Sequence, residues 1–488
     1  MCQVDDEGIS VLEKKPSLGV NPRDCMKCGE KAVVIARIKD PFCRSCFLNY
    51  FTHRFRATFG KAKVIRDGDK VLLAFSGGQC SSAMVSLVKR GLDQSTHKKL
   101  RFIPALIYID EGLVTGQSKE DRATTCQRIS HMMRETGFPW FIATLEEALG
   151  IPAQTTVQMK SPDACQAGAS FHGNQDLSAD ELAGKLEEIC LETDCTQECK
   201  DLLASVTSLT AKQDLVSNLR HRLLIHKARQ LGYHKVAVGD SGTRLSSGIL
   251  SSLAKGKGAA IPVAMAFVDD RCSDVTFLRP MREFTSKEIA VYNALFNVDS
   301  LFQPTLSTMA GEYASIDTLT ETFVNDLQTN FPSTVSTVFR TGEKMCSAES
   351  DDPEAVKRCS LCMSVLDTAV GKSSALHATR FSLQLSRKEH SSTGDNSCKS
   401  VSLNDATCTS SSSRQCCGQG DGSCHSNQKK SVSAESLNET LCYGCQVTVR
   451  EVRDLNQLPH YVLEQCAKME RRSRMRDEIK DFLLCEES

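Results

Sequence analysis

Lys70-Val-Leu-Leu-Ala-Phe-Ser-Gly-Gly-Gln-Cys-Ser-Ser82 is the stretch from which the fold of this chain can be predicted. A short, mostly apolar run ends at Phe75, a glycine pair follows, and hydroxyl side chains then open a helical segment. A strand, a glycine turn and a helix N-terminus together form an anion cradle, because glycine lets the backbone approach closely and the helix supplies free N–H groups. The candidate nucleotide-binding residues of this cradle are Ser76, Gly77, Gly78, Ser81 and Ser82.

Apolar strand candidates and helical segments alternate on the C-terminal side of the cradle. Four further strands are predicted, at residues 102–109, 140–143, 235–238 and 277–280. Helices are predicted between them, at residues 82–89, 122–135, 215–230 and 285–296. Thr285 and Glu288 have the spacing of a capping box at the start of the last of these helices. This alternation predicts an α/β fold built on a doubly wound parallel sheet.

Length and charge narrow the class of protein. The 488 residues predict two to four structural units, and Lys+Arg 59 against Asp+Glu 60 gives a net charge of -1. A polycation of the histone type is therefore excluded, and any nucleic-acid site must be a local patch. No apolar run is long enough to predict a membrane span, and the acidic first residues are unlike a signal peptide. We therefore expect a protein of the cell interior.

Twenty-four cysteines are the unusual feature of the composition. Thiols inside the cell stay reduced, so metal binding is a better explanation than disulfides. Cys25 and Cys28 form one Cys-x-x-Cys pair, and Cys43 and Cys46 form a second pair fourteen residues later. Four thiolates at this spacing predict a closed, structural zinc site. The alternative is four ordinary thiols in a helical segment.

A second pair of motifs lies near the C-terminus, at Cys359 and Cys362 and at Cys442 and Cys445. The two motifs are far apart in the chain, but the entropy of closing a loop grows only logarithmically with its length. We therefore predict a second zinc site, with residues 386–439 as a looped-out insertion. The alternative is two unrelated motifs.

Composition changes along the chain predict its domain organisation. Residues 386–439 are rich in Ser, Asn, Gly, Thr and Cys, with few large apolar residues, which is typical of disorder. The predicted units are a disordered lead-in at 1–24, a zinc ribbon with a basic helix at 25–66, an α/β domain at 67–340 with a polar insertion at about 150–209, and a C-terminal zinc module at 341–385 and 440–488 around the insertion.

Two basic segments are candidates for contact with a phosphate backbone. Residues 44–66 contain no Asp or Glu, and their phenylalanines recur every four residues, which places the rings on one helix face and the cations on another. Residues 255–258 have the sequence of a flexible cationic loop. The candidate contacts are Arg54, Arg56, Lys61, Lys63, Lys255 and Lys257. The alternative is an ordinary solvated surface.

The cradle resembles the PP-loop of the ATP pyrophosphatases, which commonly reads Ser-Gly-Gly-x-Asp-Ser. With a zinc ribbon ahead of it, a strand ending in Asp110-Glu-Gly112 and paired cysteines at the C-terminus, the chain is similar to the tRNA thiolases. More narrowly, residues 28–50, 76–82, 239–244 and 279–283 resemble the cytoplasmic tRNA 2-thiolation protein 2 family. The resemblance covers about residues 25–375 and 441 onward.

The resemblance implies a function. The chain would be the second subunit of the complex that 2-thiolates wobble uridine in cytosolic tRNAs for Lys, Glu and Gln. It would bind tRNA and form a heterodimer with the catalytic thiolase subunit, whose sulfur comes from a thiocarboxylated ubiquitin-related modifier. The implied location is the cytoplasm, without a membrane, and the implied metal is structural zinc. Whether ATP binds at the cradle stays open.

Departures from the catalytic thiolases predict that this chain has no catalytic residues of its own. The loop aspartate of those enzymes is replaced by Cys80, and a lysine of one subfamily by Gln79. Residues 210–220 lack their cysteine pair, and Gly239-Asp-Ser-Gly-Thr-Arg244 lacks a His and a carboxylate pair. Adenylation needs Mg²⁺ ligands, and sulfur transfer needs a positioned thiolate. Two alternatives stay open: an active sulfurtransferase that uses Cys80 or the cysteines around Cys190, and a zinc-stabilised interaction protein that does not contact RNA.

Overall fold

A computed structural model describes residues 24–36, 39–93, 99–152, 171–173, 194–345, 357–366 and 434–479. All of them belong to one structural unit, formed by residues 1–368 and 432–488. The predicted lead-in at 1–24 lies outside the described residues except for Asp24, and so do residues 386–433 of the predicted insertion. Within the described ranges, no helix is both long and apolar enough to cross a membrane.

The strands form a hairpin and a seven-stranded sheet in the described part of the chain. The hairpin pairs β1 (Val34–Ala36) with β2 (Asp40–Phe42). The sheet has the order β6-β5-β4-β3-β7-β9-β8, and its strands are β3 (Lys70–Ala74), β4 (Ile103–Asp110), β5 (Trp140–Thr144), β6 (Phe171–Gly173), β7 (Lys235–Ala237), β8 (Val268–Asp269) and β9 (Thr276–Leu278). The five central strands are parallel, and the two edge strands are antiparallel. The predicted α/β fold with a parallel sheet is confirmed.

Helices cover the sheet and join it to the cysteine motifs. They are α1 (Arg44–Ala62), α2 (Gln79–Leu92), α3 (Lys119–Glu135), α4 (Asp194–Ser205), α5 (Leu209–Gln230), α6 (Gly242–Ala254), α7 (Ile261–Met265), α8 (Ser286–Phe296), α9 (Leu306–Met309), α10 (Ile316–Asn330), α11 (Pro332–Glu343), α12 (Ala434–Glu439), α13 (Tyr443–Arg450) and α14 (His460–Ile479). The capping box predicted at Thr285 and Glu288 is present at the start of α8.

The strand order places a crevice at the cradle. From β3 the chain adds β4 and β5 on one side, and it later adds β7 and β9 on the other side. Such a reversal of direction leaves an opening outside the carboxyl ends of two adjacent strands, where ligands of open α/β sheets bind. In this sheet the opening lies between the ends of β3 and β7. The cradle follows β3 directly.

Helix α1 packs onto the α/β domain through its aromatic face, as its spacing predicts. Phe47, Phe51 and Phe55 are completely buried. The ring of Phe51 stacks on that of Tyr292 with centroids 4.6 Å apart, and it lies 4.1 Å from the ring of Phe284. The segment with the N-terminal cysteine pairs is therefore attached to the sheet domain through its own helix, with a shared hydrophobic core.

Two predicted insertions contribute more structure than their composition indicates. The polar insertion at 150–209 supplies the edge strand β6 and the helix α4, whose Cys199 and Leu202 are completely buried. The last six residues of the insertion at 386–439 form α12, which buries Leu437. In both places a few apolar residues within a polar stretch join a hydrophobic core that also includes residues of α5 and α14.

We expect the stability of the fold to fall in mild acid because of His221 in α5. Burial, together with the charge of Arg271, lowers the pKa of His221 to about 3, although Asp269 acts in the opposite direction. The imidazole has a pKa near 6.5 in the unfolded chain. The free energy of unfolding therefore keeps its full value, as far as His221 is concerned, above about pH 6.5 and falls as the pH falls towards 3. His221→Phe keeps an aromatic ring against Phe277 and removes the titration. Urea unfolding at pH 7.5 and 5.5 should show that wild type loses about 1 kcal/mol more than the variant. Equal losses in the two proteins would contradict this assignment.

Candidate functional site

The hydroxyl groups of the cradle are engaged in hydrogen bonds within the loop. The N–H of Ser76 donates to Oγ of Ser81 over 3.2 Å, and that hydroxyl also contacts the carbonyl of Gly78 at 3.0 Å. Oγ of Ser82 donates to the carbonyl of Gly77 over 3.2 Å. The feature of the cradle that favours an anion is the N-terminus of α2, which has no acidic residue in its first turn.

The two cradle glycines have different surroundings. Gly77 adopts a φ of +72, and a Cβ built on it would lie 2.3 Å from Cδ1 of Ile129. The N–H of Leu301 donates to the carbonyl of Gly77 over 2.8 Å, so Leu301 covers this side of the loop. Gly78 has a φ of −73, and a Cβ there would make only an ordinary contact, 3.5 Å from Oγ of Ser76. A side chain at position 78 would therefore enter the cradle without disturbing the fold.

The loop after β7 closes the other side of the crevice. A Cβ on Gly239 would lie 3.1 Å from the backbone N of Ser81, so the two backbones can approach only because this residue is glycine. Asp240 follows it, and its carboxylate lies 3.7 Å from both Arg244 and Arg279.

The carboxylates at the ends of β4 and β7 are all paired with arginine. Asp110 pairs with the buried Arg122 at 2.7 Å, and Arg122 also pairs with Glu146 at 2.7 Å. Glu111 accepts from Arg220 at 2.8 Å. Asp110 at the end of β4, Glu111 directly after it and Asp240 after β7 therefore each have a guanidinium within ion-pair distance. Sequence reasoning found Asp110 and Glu111 but not their arginine partners, which come from α3 and α5.

Cys80 lies at the start of α2 in a partly buried position. Burial raises the pKa of its thiol, although the guanidinium of Arg244 acts in the opposite direction. The thiol form is therefore favoured at neutral pH. Cys199, the described and buried member of the acidic cysteine segment, has its pKa raised by burial to about 12. Neither thiol has the lowered pKa of a nucleophile.

The cysteines of the two N-terminal Cys-x-x-Cys pairs come together, as predicted. The Sγ atoms of Cys25, Cys28, Cys43 and Cys46 all lie within 4.8 Å of one another. Cys43 and Cys46 come from the start of α1, and β1 and β2 form the predicted hairpin between the two motifs. The Sγ atoms of Cys28 and Cys43 are 3.4 Å apart, close to the edge of about 3.8 Å of a tetrahedron with Zn–S bonds near 2.3 Å. This donor set fits a metal ion.

The cysteines of the two C-terminal Cys-x-x-Cys motifs also meet, which confirms that these distant motifs form one cluster. The Sγ atoms of Cys359, Cys362, Cys442 and Cys445 lie within 4.8 Å of one another, and those of Cys362 and Cys442 are 3.6 Å apart. The main chain joins the halves as well, because the N–H of Ser360 donates to the carbonyl of Thr440 over 3.0 Å. Two cysteine tetrads that could hold metal ions are therefore present.

Lys255 and Lys257 lie inside the molecule, in contrast to the flexible cationic loop expected from the sequence. Nζ of Lys255 pairs with Asp214 at 2.8 Å and with Asp317 at 2.7 Å, and its side chain is 9% exposed. Nζ of Lys257 pairs with Asp214 at 2.7 Å, and its side chain is 15% exposed. Thr448 of α13 donates to the same aspartate over 3.3 Å. These lysines connect α5 to the second tetrad and are not available to phosphate.

The predicted basic residues of α1 separate into different environments. Arg54 is directed to the domain, where it pairs with Glu283 at 3.4 Å and Glu288 at 3.8 Å and contacts the ring of Phe284. Arg56 and Lys63 line an open groove beyond the far half of α1. Lys61 belongs to α1, and its side chain lies outside the described part of the structure.

Comparisons with known proteins give a consistent result. Residues 315–447 match the family model described as cytoplasmic tRNA 2-thiolation protein 2. The chain is 41% identical to "Cytoplasmic tRNA 2-thiolation protein 2" of Xenopus tropicalis, over 99% of this chain and 98% of that protein. It is 40% identical to the protein of the same name from Danio rerio, over the full length of both.

A solved structure is similar over part of the fold. It is the U34-tRNA thiolase NcsA from Methanococcus maripaludis with its 4Fe-4S cluster, with 14% sequence identity. The similarity covers 70% of this chain and 95% of that one, with a TM-score of 0.47.

Proposed function

The chain belongs to the cytoplasmic tRNA 2-thiolation protein 2 family, and from that premise we propose that it is the non-catalytic subunit of a cytoplasmic tRNA 2-thiolation complex. The substrate is the wobble uridine of tRNAs for Lys, Glu and Gln. The chain binds tRNA and pairs as a heterodimer with the catalytic thiolase subunit. That subunit receives its sulfur from a thiocarboxylated ubiquitin-related modifier.

The pairing of the strand-end carboxylates carries the non-catalytic part of this proposal. A triphosphate is activated for adenylation by Mg²⁺, which is held by carboxylates that are free to coordinate it. Asp110, Glu111 and Asp240 are engaged by arginines instead. The raised pKa of Cys80 adds a second reason, because sulfur transfer requires a thiolate. An active sulfurtransferase that uses Cys80 is therefore the weaker alternative.

We propose zinc as the ion of both tetrads. Each tetrad offers four thiolates and no open position, the donor set of a structural zinc site. Their place in the fold agrees with a structural role. The first tetrad is joined to the start of α1, and the second lies in a hydrophobic core shared with α5 and α14.

We expect that a side chain placed in the cradle leaves the function of this subunit intact. Gly78→Asp puts a carboxylate where a phosphate would bind, at a position with room for it. The measurement is thiolation of wobble uridine by the purified thiolase subunit with this chain present, absent or carrying the substitution. The variant should restore thiolation to within about twofold of wild type, because the catalytic work belongs to the partner.

Gly311→Asp is the matched control, because a Cβ at this glycine meets no atom within 4 Å and the added charge is the same. Gly77→Asp is unsuitable, since its side chain would collide with Ile129. If Gly78→Asp abolishes thiolation while the partner and tRNA still bind, the cradle is a working nucleotide site. If the thiolase subunit is equally active without this chain, the proposed function itself is wrong.

A further inference from the structure

The amino-terminal edge of the central sheet, opposite the cradle, contains a groove of about 1170 Å³. Its walls are residues 48–60 of α1, residues 63–67 ahead of β3, the end of α2 and residues 99–102 ahead of β4. We call it the amino-edge groove. Six cationic side chains from these four segments line it: Arg56, Lys63, Arg66, Arg90, Lys99 and Arg101.

Positive charge dominates the amino-edge groove. Asp67 and Asp93 are the carboxylates among its lining residues, so four positive charges remain in excess, although the whole chain has a net charge of -1. Asp67 pairs with Arg101 at 3.1 Å, but both side chains are about two-thirds exposed, so water and salt weaken this pair. A local excess of this kind in a nearly neutral protein is typical of a phosphate-binding surface.

Helix dipoles account for only part of this charge. Lys63 is the C-cap of α1, and Arg90 lies in the last turn of α2, where the negative end of a helix stabilises cations. Arg66 and Arg101 precede strands β3 and β4, and strands have only small dipoles. Helix dipoles therefore do not explain the charge that these two arginines bring to the groove.

The floor of the groove favours phosphate over bases as the recognised group. Phe59 and Phe102 contact each other with ring centroids 5.9 Å apart and are only 8% and 4% exposed. Their faces are therefore used in the protein core and cannot stack on unpaired bases. Exposed cations over a closed apolar floor contact a nucleic acid through its backbone, independently of sequence.

We propose that the amino-edge groove binds the phosphate backbone of tRNA. This inference rests on the proposed function, which makes tRNA the ligand, and adds the surface that holds it. Helix α2 runs from the cradle to the groove, and its 14 residues separate the two by about 20 Å. The bound tRNA is thus held away from the nucleotide-type crevice, at the opposite edge of the sheet.

Charge reversal at Arg66 and Lys99 tests this surface, since both side chains are exposed. The full chain, as wild type or Arg66→Glu/Lys99→Glu, is titrated with an unmodified tRNA transcript between 50 and 200 mM salt. We expect the Kd of the variant to rise at least about tenfold. The slope of log affinity against log salt should become shallower by about 2, because about two phosphate contacts are lost. Lys287→Glu/Lys344→Glu is the control, with the same change in charge at exposed positions outside the groove.

Each remaining outcome overturns the groove proposal. An unchanged Kd and salt slope in Arg66→Glu/Lys99→Glu would do so, as would equal losses in the control. A variant that loses binding of ATP or inorganic triphosphate but keeps tRNA would show a nucleotide site instead. A wild-type chain that binds no tRNA at 50 mM salt would also refute it. The thiolation assay with and without this chain decides the proposed function separately.

Discussion

Cys445→Ser is expected to lower the zinc content of the protein from about two equivalents to about one. The Sγ of Cys445 belongs to the second tetrad, and the residue lies in α13 and is completely buried. Three thiolates and a hydroxyl bind zinc far less tightly than four thiolates, and the binding free energy of a structural zinc ion is folding free energy. We therefore also expect the unfolding free energy to fall by at least about 3 kcal/mol, as measured by chemical denaturation.

Cys272→Ser is the control for this experiment, because Cys272 is a partly buried thiol outside both tetrads. It should keep the full zinc content and most of the stability. The same samples report which metal is bound. Iron with acid-labile sulfide in place of zinc would contradict the assignment of zinc, and an unchanged metal content in Cys445→Ser would contradict the second site.

Asp214→Ala is expected to destabilise the fold by about 3–5 kcal/mol, because it leaves buried ammonium groups without their counter-ion. Asp214 pairs with Lys255 and Lys257 at 2.8 and 2.7 Å. Burial alone would raise the pKa of this carboxyl, but the two lysines outweigh burial and the pKa is lowered. Lys255 keeps a second partner in Asp317, so most of the penalty falls on Lys257. Denaturant unfolding at neutral pH measures the loss.

Two further variants show whether burial causes this effect. Lys257→Met added to Asp214→Ala should recover a large part of the lost stability, since an apolar side chain removes the unpaired charge. Asp274→Ala removes an ion pair with Arg229 at the surface, where Asp274 is 45% exposed, and should cost less than about 1 kcal/mol. A loss below about 1 kcal/mol in Asp214→Ala would show that the lysines find other partners.

The central strands could be predicted from the sequence because they are buried on both faces. Val71, Leu72 and Leu73 of β3 are completely buried, so the strand reads as a continuous apolar run. The edge strands β6 and β8 have three and two residues, which is too short for a periodic pattern. Their positions are determined by pairing with β5 and β9.

The two cysteine tetrads could be predicted because a Cys-x-x-Cys motif is a local signal. Each half of a tetrad is visible within four residues, and the need for four thiolates then joins the halves. The ion pairs gave no comparable signal. Asp214 and Lys255 are 41 positions apart, and Lys-Gly-Lys-Gly has the composition of an exposed loop. Arg54 was expected to face solvent for the same reason, because Glu283 is 229 positions away.

The second tetrad also has a consequence for synthesis of the chain on the ribosome. Cys442 follows Cys362 by 80 positions, so Cys359 and Cys362 are made well before their partners. At about 5–20 residues per second, this interval lasts about 4–16 s. During this time two thiols are without their metal partners, and the surface of α5 that α13 covers is open. The tetrad is therefore complete only once Cys442 and Cys445 have been made, and it can take up a metal ion no earlier than that.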